Sequence, residues 1–163
     1  MMSQVFVSGH ESPDTDSIAA ALSYSYLKRR LGMDAVAVRA GEINKESRFA
    51  LDYFNLEEPM LVTSVARKNP EDEKQKVILV DHNESKQTID GMDDAKVLEI
   101  IDHHRFGDFE SENPIFILVR PVGCVNTVIY GLYKANHIKP SREIAGIMLS
   151  AIISDTVLFR SPT

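Results

Sequence analysis

A strand, a polar loop and a helix follow one another at the start of the chain, and this order constrains the fold more than any other feature. Residues 4–8 alternate and include β-branched and aromatic side chains, which is typical of a strand. Gly9 ends this strand, and an apolar helical pattern covers residues 18–31. A second apolar run, residues 34–39, completes a βαβ unit, which requires its two strands to run parallel.

Strands and helices keep alternating along the rest of the chain. We expect further strands at residues 61–65, 77–80, 97–101 and 115–119, and further helices at residues 46–55, 125–136 and 142–153. Short apolar runs of this kind are typical of parallel strands covered on both faces. The sequence therefore predicts one α/β domain over residues 1–163, a doubly wound and mostly parallel sheet of Rossmann-like type with helices on both faces.

Composition excludes several classes of function. The net charge of −6 argues against a surface that binds nucleic acid by non-specific electrostatics, since such domains carry a basic stripe. No apolar run is long enough to span a bilayer, so we expect no membrane association. The single cysteine, Cys124, cannot form an internal disulfide, which agrees with a reducing compartment and predicts a cytoplasmic location.

Side chains that bind metals follow three of the predicted strands. His10, Asp14 and Asp16 lie in the loop after the first strand, Asp81 follows residues 77–80, and Asp102-His103-His104 follows residues 97–101. Because the carboxyl ends of parallel strands meet at one edge of a sheet, we expect these groups to lie close together in space.

Each of these groups also has an ordinary structural interpretation. Asp14 or Asp16 could cap the following helix, for which Ser17 is another candidate, and the adjacent histidines could be structural. His82 and His137 are interpreted as surface or packed histidines without a role. Three separate strand ends that all carry ligand-type groups nevertheless favour a functional site.

The candidate ligands are too many for one ion. They are His10, Asp14, Asp16, Asp81, His103 and Asp155. Carboxylates held this close would repel one another by several kcal/mol without a cation, and the charge of four carboxylates balances two divalent ions. Two ions would acidify a water between them into a hydroxide nucleophile. Mixed imidazole and carboxylate ligands suit Mn²⁺ or Co²⁺ better than Mg²⁺, and the lack of a cysteine ligand argues against structural zinc.

The chain resembles the N-terminal domain of the family II, manganese-dependent inorganic pyrophosphatases, within the DHH phosphoesterase superfamily. Five motifs in order carry the resemblance: GHESPDTDS at residues 9–17, VDHNE at 80–84, IDHHR at 101–105, PVGC at 121–124 and SAIISDT at 150–156. The match covers essentially the whole chain and implies hydrolysis of pyrophosphate to two phosphates.

The resemblance also implies a role for each site residue. His10 and Asp14 would bind one Mn²⁺, the other would be bound by Asp16, His103 and Asp155, and Asp81 would bridge the two as a catalytic residue. His104 would donate a hydrogen bond to the substrate phosphate as a second catalytic residue, Arg105 would also bind the substrate, and Asp102 would orient the histidines. Mg²⁺ would accompany the substrate.

The family has a second, C-terminal domain whose lysines and arginines bind pyrophosphate. This chain ends at Thr163, so we expect an isolated N-terminal domain with weak activity. We also expect a homodimer paired through residues 115–119.

Two alternative functions stay open. One is another superfamily phosphoesterase, an exonuclease or a short-oligonucleotide phosphatase, although the acidic charge and the lack of tryptophan argue against it. The other is a metal-binding dimerisation module without turnover.

Overall fold

The computed structural model of the protein describes residues 4–161. Its strands are β1 (Val5–Ser8), β2 (Ala35–Arg39), β3 (Met60–Leu61), β4 (Lys76–Val80), β5 (Lys96–Asp102) and β6 (Phe116–Val119). Its helices are α1 (Thr15–Arg30), α2 (Lys45–Tyr53), α3 (Val125–Ala135) and α4 (Arg142–Asp155), with short 3-10 turns at Ser85–Gln87 and Met92–Asp94. Within this part of the chain, none of the helices has the length and apolar character needed to cross a bilayer.

All six strands belong to one parallel sheet, in the order β3-β2-β1-β4-β5-β6. One face of the sheet is covered by α1 and α3, where Tyr24, Ile129 and Tyr133 pack onto Val7 and Ile78. Helices α2 and α4 pack against α1 in a further layer. The α/β fold with a six-stranded parallel sheet is thereby confirmed.

The opposite face of the sheet differs from the expected helical cover. Its apolar residues, among them Val38, Leu79 and Ile100, pack against loops and 3-10 turns, and no residue of α1 to α4 belongs to this part of the described core. Residues 81–95 and 103–115, which connect strands across this face, are short and consist mostly of polar and charged residues. They therefore form turns instead of α-helices.

Most predicted element boundaries agree with the structure to within one or two residues. The predicted strand at residues 61–65 is wrong, because pairing with β2 is limited to Met60 and Leu61. Helix α1 begins three residues earlier than expected, and its N-cap is Asp14 rather than Asp16 or Ser17. Cys124 lies outside the helical pattern, at the N-cap position of α3.

The direction of the connections reverses between β1 and β4. Strands β1 to β3 extend to one side of the sheet, while β4 to β6 extend to the other. In open α/β sheets, ligands bind outside the carboxyl ends of the strands at such a reversal. The loops after β1, β4 and β5 meet there, and these are the loops that contain the predicted metal ligands.

Candidate metal centre

Asp14 caps a helix and also lies beside another candidate ligand, so its two interpretations from the sequence do not exclude each other. Its Oδ1 accepts a hydrogen bond from the backbone N–H of Ser17 at 2.9 Å and so caps α1. The same oxygen lies 3.7 Å from Nε2 of His10. Because the cap fixes the carboxylate at the start of the helix, it holds Asp14 beside His10.

Asp81 lies at the centre of the cluster in a strained conformation. It directly follows β4, its φ of 64° is in the left-handed region that few non-glycine residues adopt, and its side chain is only 2% exposed. Residues are retained in such conformations where the surrounding structure requires them, as at functional sites. The turn aims the carboxylate across the sheet edge toward the neighbouring loops.

The two oxygens of Asp81 face different histidines. Oδ2 lies 3.3 Å from His10 Nε2, and Oδ1 lies 3.2 Å from His103 Nε2. Oδ1 is shielded from water and has no hydrogen-bond partner among the described residues. A buried carboxylate oxygen without a partner is costly, unless it binds a group that the protein atoms do not supply.

Two sets of candidate ligands flank Asp81. In the outer group, His10, Asp14 and Asp81 place one ligand atom each within 4.8 Å of the others, and the inner group, made of Asp16, His103 and Asp155, does the same. The outer group is open to solvent at Asp14, which is 52% exposed, whereas the Asp16 side chain is 1% exposed. The predicted ligands of each ion are therefore brought together.

Asp102 organises the histidine pair that follows it. Its Oδ1 accepts hydrogen bonds from the backbone N–H groups of His103 and His104 and from His104 Nδ1, the last at 2.8 Å. His103 donates through Nδ1 to the Val122 carbonyl at 2.7 Å, which leaves its Nε2 lone pair directed at the cluster. Side chains bonded in this way have fixed orientation before any ligand binds.

Proximity of the carboxylates changes the protonation of the cluster. Burial opposes charge on His10, but the hydrogen bonds and charges of Asp14 and Asp81 outweigh it and raise its pKa to about 10. Burial likewise opposes charge on His103, and the neighbouring Asp81 raises its pKa to about 9. Burial and the adjacent Asp16 raise the pKa of Asp155 to about 8. In the absence of a cation, protons therefore hold this cluster together.

Arg105 is at the rim of the site. Its guanidinium is 85% exposed, and its Nε donates to Glu84 Oε1 at 3.0 Å. Among the described residues, no lysine or arginine forms an ion pair with Asp14, Asp16 or Asp81. The protein thus supplies histidine and carboxylate ligands without a permanent cation of its own.

These residues fit a pair of divalent ions. The oxygen and nitrogen donors are of the kinds that Mn²⁺ accepts, and the unpartnered Asp81 oxygen lies between the two groups. An ion in each group would give every carboxylate of the cluster a positive neighbour. Proton loss from the histidines would free their Nε2 atoms as ligands.

Two buried asparagines of the site were missed by the sequence analysis. Asn83 donates through Nδ2 to Asp102 Oδ2 at 2.6 Å, and Asn126 donates through Nδ2 to Asp16 Oδ1 at 2.6 Å. The only available signal was their place inside or near the VDHNE and PVGC motifs.

His82 is a packed histidine, which is one of the two interpretations that the sequence allowed. It is fully buried, and its ring is perpendicular to that of His10.

The parallel α/β sheet and the cluster of histidines and carboxylates at its strand ends are accompanied by a match to a known protein family. Residues 4–152 match the model of the DHH family, N-terminal domain, and the chain is a member of that family.

Particular relatives are similar over nearly the whole chain. The manganese-dependent inorganic pyrophosphatase of Bacillus subtilis strain 168 is 48% identical over 162 residues, which cover 99% of this chain and 51% of that protein. The probable manganese-dependent inorganic pyrophosphatase of Bacillus licheniformis is 52% identical over the same length and with the same coverage.

Two solved structures share this fold. A Methanococcus jannaschii protein assigned to the family II inorganic pyrophosphatases superimposes with a TM-score of 0.85 and 40% identity over 98% of this chain and 51% of its own. An exopolyphosphatase-related protein of Bacteroides fragilis shares the fold, with a TM-score of 0.68 and 19% identity over 99% of this chain and 49% of its own. The chain spans about half the length of the curated relatives that it matches.

Proposed function

We propose that this chain is the metal-binding part of a manganese-dependent inorganic pyrophosphatase. The observation that carries the proposal is the position of Asp81, whose two carboxylate oxygens lie 3.3 and 3.2 Å from histidines of two separate ligand groups. In this proposal, His10 and Asp14 bind one ion, while Asp16, His103 and Asp155 bind the other. Asp81 bridges the two.

Two bound manganese ions would lower the pKa of a water between them and offset the charge of the phosphate oxygens. Co²⁺ could replace Mn²⁺, and Mg²⁺ is proposed to enter with the substrate. The protein's own contribution is to fix the donors in advance, through the cap at Asp14 and the hydrogen bonds to Asp102.

His104 is proposed to contact the substrate. Its side chain is 51% exposed, and its Nδ1 is held by Asp102, which leaves Nε2 available to a ligand. The hydrogen bond to Asp102 raises the pKa of His104 against the opposing effect of burial, so the charged imidazolium is favoured. In that form Nε2 donates a hydrogen bond to a phosphate oxygen.

Arg105 is the second proposed contact to the substrate. Its Nε is held by Glu84, and its terminal nitrogens extend into solvent beside the cluster. Pyrophosphate carries several negative charges, and among residues 4–161 Arg105 is the only lysine or arginine within one of the site motifs. We therefore propose that further cationic side chains, outside the residues described, complete the substrate site, as a separate C-terminal domain would.

Phosphate release from pyrophosphate tests this proposal. The 163-residue chain is assayed with saturating Mn²⁺ and Mg²⁺ beside the full-length B. subtilis relative, with His104→Ala as the control. We expect slow hydrolysis of pyrophosphate by the chain, and a further loss in the variant of the order of 10²-fold or more, typical of a missing transition-state donor. Hydrolysis by the chain as fast as by the full-length enzyme would contradict the need for further cations.

Two other functions would give different results in the same assay. A short oligonucleotide hydrolysed faster than pyrophosphate would indicate another phosphoesterase of the superfamily. Mn²⁺ binding without turnover of either substrate would indicate a metal-binding module. The acidic composition favours pyrophosphate over an oligonucleotide, since a nucleic-acid backbone needs a basic stripe that the sequence does not show.

A homodimer through β6 is also proposed. This strand is at the edge of the sheet, and Phe116 and Ile117 are 50% and 42% exposed. An exposed apolar edge strand favours pairing with a second copy across a two-fold axis. Light scattering should give twice the 18.3 kDa of the chain, and Ile117→Lys should give the monomer mass. A monomer mass for the unsubstituted chain at micromolar concentration would refute the dimer.

A cytoplasmic location is also proposed, since the single cysteine, Cys124, is a buried free thiol, which agrees with a reducing compartment.

A further inference from the structure

Asp16 accepts more hydrogen bonds through its carboxylate than Asp14 or Asp81 does. Its Oδ1 accepts hydrogen bonds from Cys124 Sγ at 2.8 Å, from the Asn126 side chain at 2.6 Å and from the Asn126 backbone N–H at 3.3 Å. Its Oδ2 accepts a bond from the backbone, from the Val125 N–H at 2.7 Å. The two oxygens of this carboxylate are therefore in different environments.

Oδ2 is the oxygen of Asp16 that faces His103 of the inner group. It lies 3.7 Å from His103 Nε2, whereas Oδ1 has three donors from the first turn of α3 and the residue before it. An oxygen with three donors has little capacity left for an ion. This geometry leaves one oxygen of Asp16 for a metal.

Asn126 has no contact with the candidate ligands other than Asp16 among its described hydrogen bonds. Its Nδ2 donates to both Oδ1 and the backbone carbonyl of Asp16, and its Oδ1 accepts from Ser23 Oγ at 2.9 Å. The side chain is fully buried, with every bond supplied by α1. It thus clamps the start of α1 to the start of α3.

We propose that Asn126 is a positioning residue, which fixes the Asp16 carboxylate so that Oδ2 alone binds the ion of the inner group. This inference rests on the proposed two-metal function. The χ2 torsion of an aspartate is broad and roughly two-fold. Without Asn126, the Asp16 carboxylate would therefore rotate about this bond, and Oδ2 would not be held in one position. Groups that hold a metal ligand in this way affect metal affinity by about 10- to 100-fold.

Metal titration of side-chain variants tests the role. Mn²⁺ binding to the 163-residue chain is measured by calorimetry for Asn126→Leu, which keeps the shape of the side chain and removes its donors. Two reference variants assign the binding steps, because His10→Ala removes a ligand of the outer group and leaves the Asp14 cap of α1 in place, and Asp155→Ala removes a ligand of the inner group. We expect Asn126→Leu to weaken only the step that Asp155→Ala removes, by about 10- to 100-fold.

Ser23→Ala is the matched control. It removes the hydrogen bond on the far side of the Asn126 amide, at the same depth in the protein, and leaves the bonds to Asp16 in place. We expect it to lower the melting temperature of the metal-free chain while both binding steps keep the affinity of the unsubstituted chain. Equal weakening of both steps by Asn126→Leu, or weakening of neither, would overturn the assignment.

A second pair of variants keeps the proposal testable if Asn126→Leu does not fold. Cys124→Ser retains a donor to Asp16 Oδ1, and Cys124→Ala removes it. If the donors to Oδ1 fix the Asp16 carboxylate, Cys124→Ala should bind the ion of the inner group more weakly than Cys124→Ser does. Identical binding by the pair would overturn the premise on which the role of Asn126 rests. If the unsubstituted chain itself binds no Mn²⁺, the proposed function fails instead, which is a separate result.

Discussion

Buried acidic side chains occur in two regions of this molecule, at the carboxyl ends of the strands and inside β5. In β5, Glu99 is 9% exposed, accepts a hydrogen bond from the Tyr24 hydroxyl at 2.6 Å and pairs with Lys28 Nζ at 2.5 Å. At the strand ends, Asp81 is 2% exposed and faces histidines and carboxylates, with Oδ1 unpartnered. The Glu99 site in β5 contains a lysine as its own cation, whereas no lysine or arginine among the described residues is paired with Asp81 at the strand ends.

This difference separates a structural charge from a binding site. Glu99 needs nothing beyond α1, because Lys28 and Tyr24 both reach it from that helix. Asp81 and its neighbours are stable without metal only when protons remain on His10, His103 and Asp155, whose pKa values are raised to about 10, 9 and 8, respectively. A buried carboxylate without a lysine or arginine partner therefore indicates a metal site better than a buried carboxylate that has such a partner.

The largest effect on stability is expected where the cation is removed from Glu99. Lys28→Met should lower the free energy of unfolding by about 3 to 5 kcal/mol, because it leaves a buried carboxylate without its counter-ion. Urea unfolding in the presence of a chelator measures this, with Arg30→Met on the exposed face of the same helix as the control. Mn²⁺ affinity should be unchanged by Lys28→Met, and a parallel loss of Mn²⁺ affinity would contradict the separation of the two regions.

A substitution at Asp81 is expected to change stabilisation by Mn²⁺, and this effect should be smaller than that of Lys28→Met. Asparagine tolerates the left-handed backbone at this position, so the cost of Asp81→Asn to the metal-free chain should be limited to the lost charge contacts with His10 and His103. The stabilisation by Mn²⁺, about 2.7 kcal/mol at a hundredfold excess over the dissociation constant, should be lost. Melting curves with and without Mn²⁺ measure both values, and Asp52→Asn on the exposed side of α2 is the control. Full stabilisation of the Asp81→Asn chain by Mn²⁺ would rule out a bridging carboxylate.

The pH dependence of stability should also differ between the metal-free and the metal-bound chain. The folded pKa values of His10 and His103 lie above the unfolded value of 6.5, so their contribution is complete below pH 6.5 and is lost as pH rises to between 9 and 10. Asp155 keeps its proton up to about pH 8 in the fold, so ionising it also lowers stability between pH 3.8 and 8.

Unfolding in chelator at pH 6, 7.5 and 9 should therefore show decreasing stability, while the gain from Mn²⁺ should increase over the same interval, because the ligands must lose their protons. Metal-free stability that increases with pH over this interval would show that the cluster is held together in some other way.

The sequence was sufficient for the parts of the site that follow from strand direction. His10, Asp81 and His103 could be placed together because parallel strands end at one edge, and no knowledge of side-chain contacts was needed. Asn126 and Glu99 could not be assigned, because their partners lie in distant parts of the chain and only packing brings them together. Helical cover on the second face was predicted wrongly, since apolar strands do not reveal whether helices or loops cover them.

The number of manganese ions bound per chain tests the central claim most directly. Equilibrium dialysis of the 163-residue chain against Mn²⁺ at pH 8, followed by elemental analysis, should give two ions per chain, and Asp81→Asn should give fewer. Lys28→Met, measured at a temperature where it is folded, should still give two. A chain that binds no Mn²⁺, or the same number with and without Asp81, would contradict the claim that this cluster is a two-metal site.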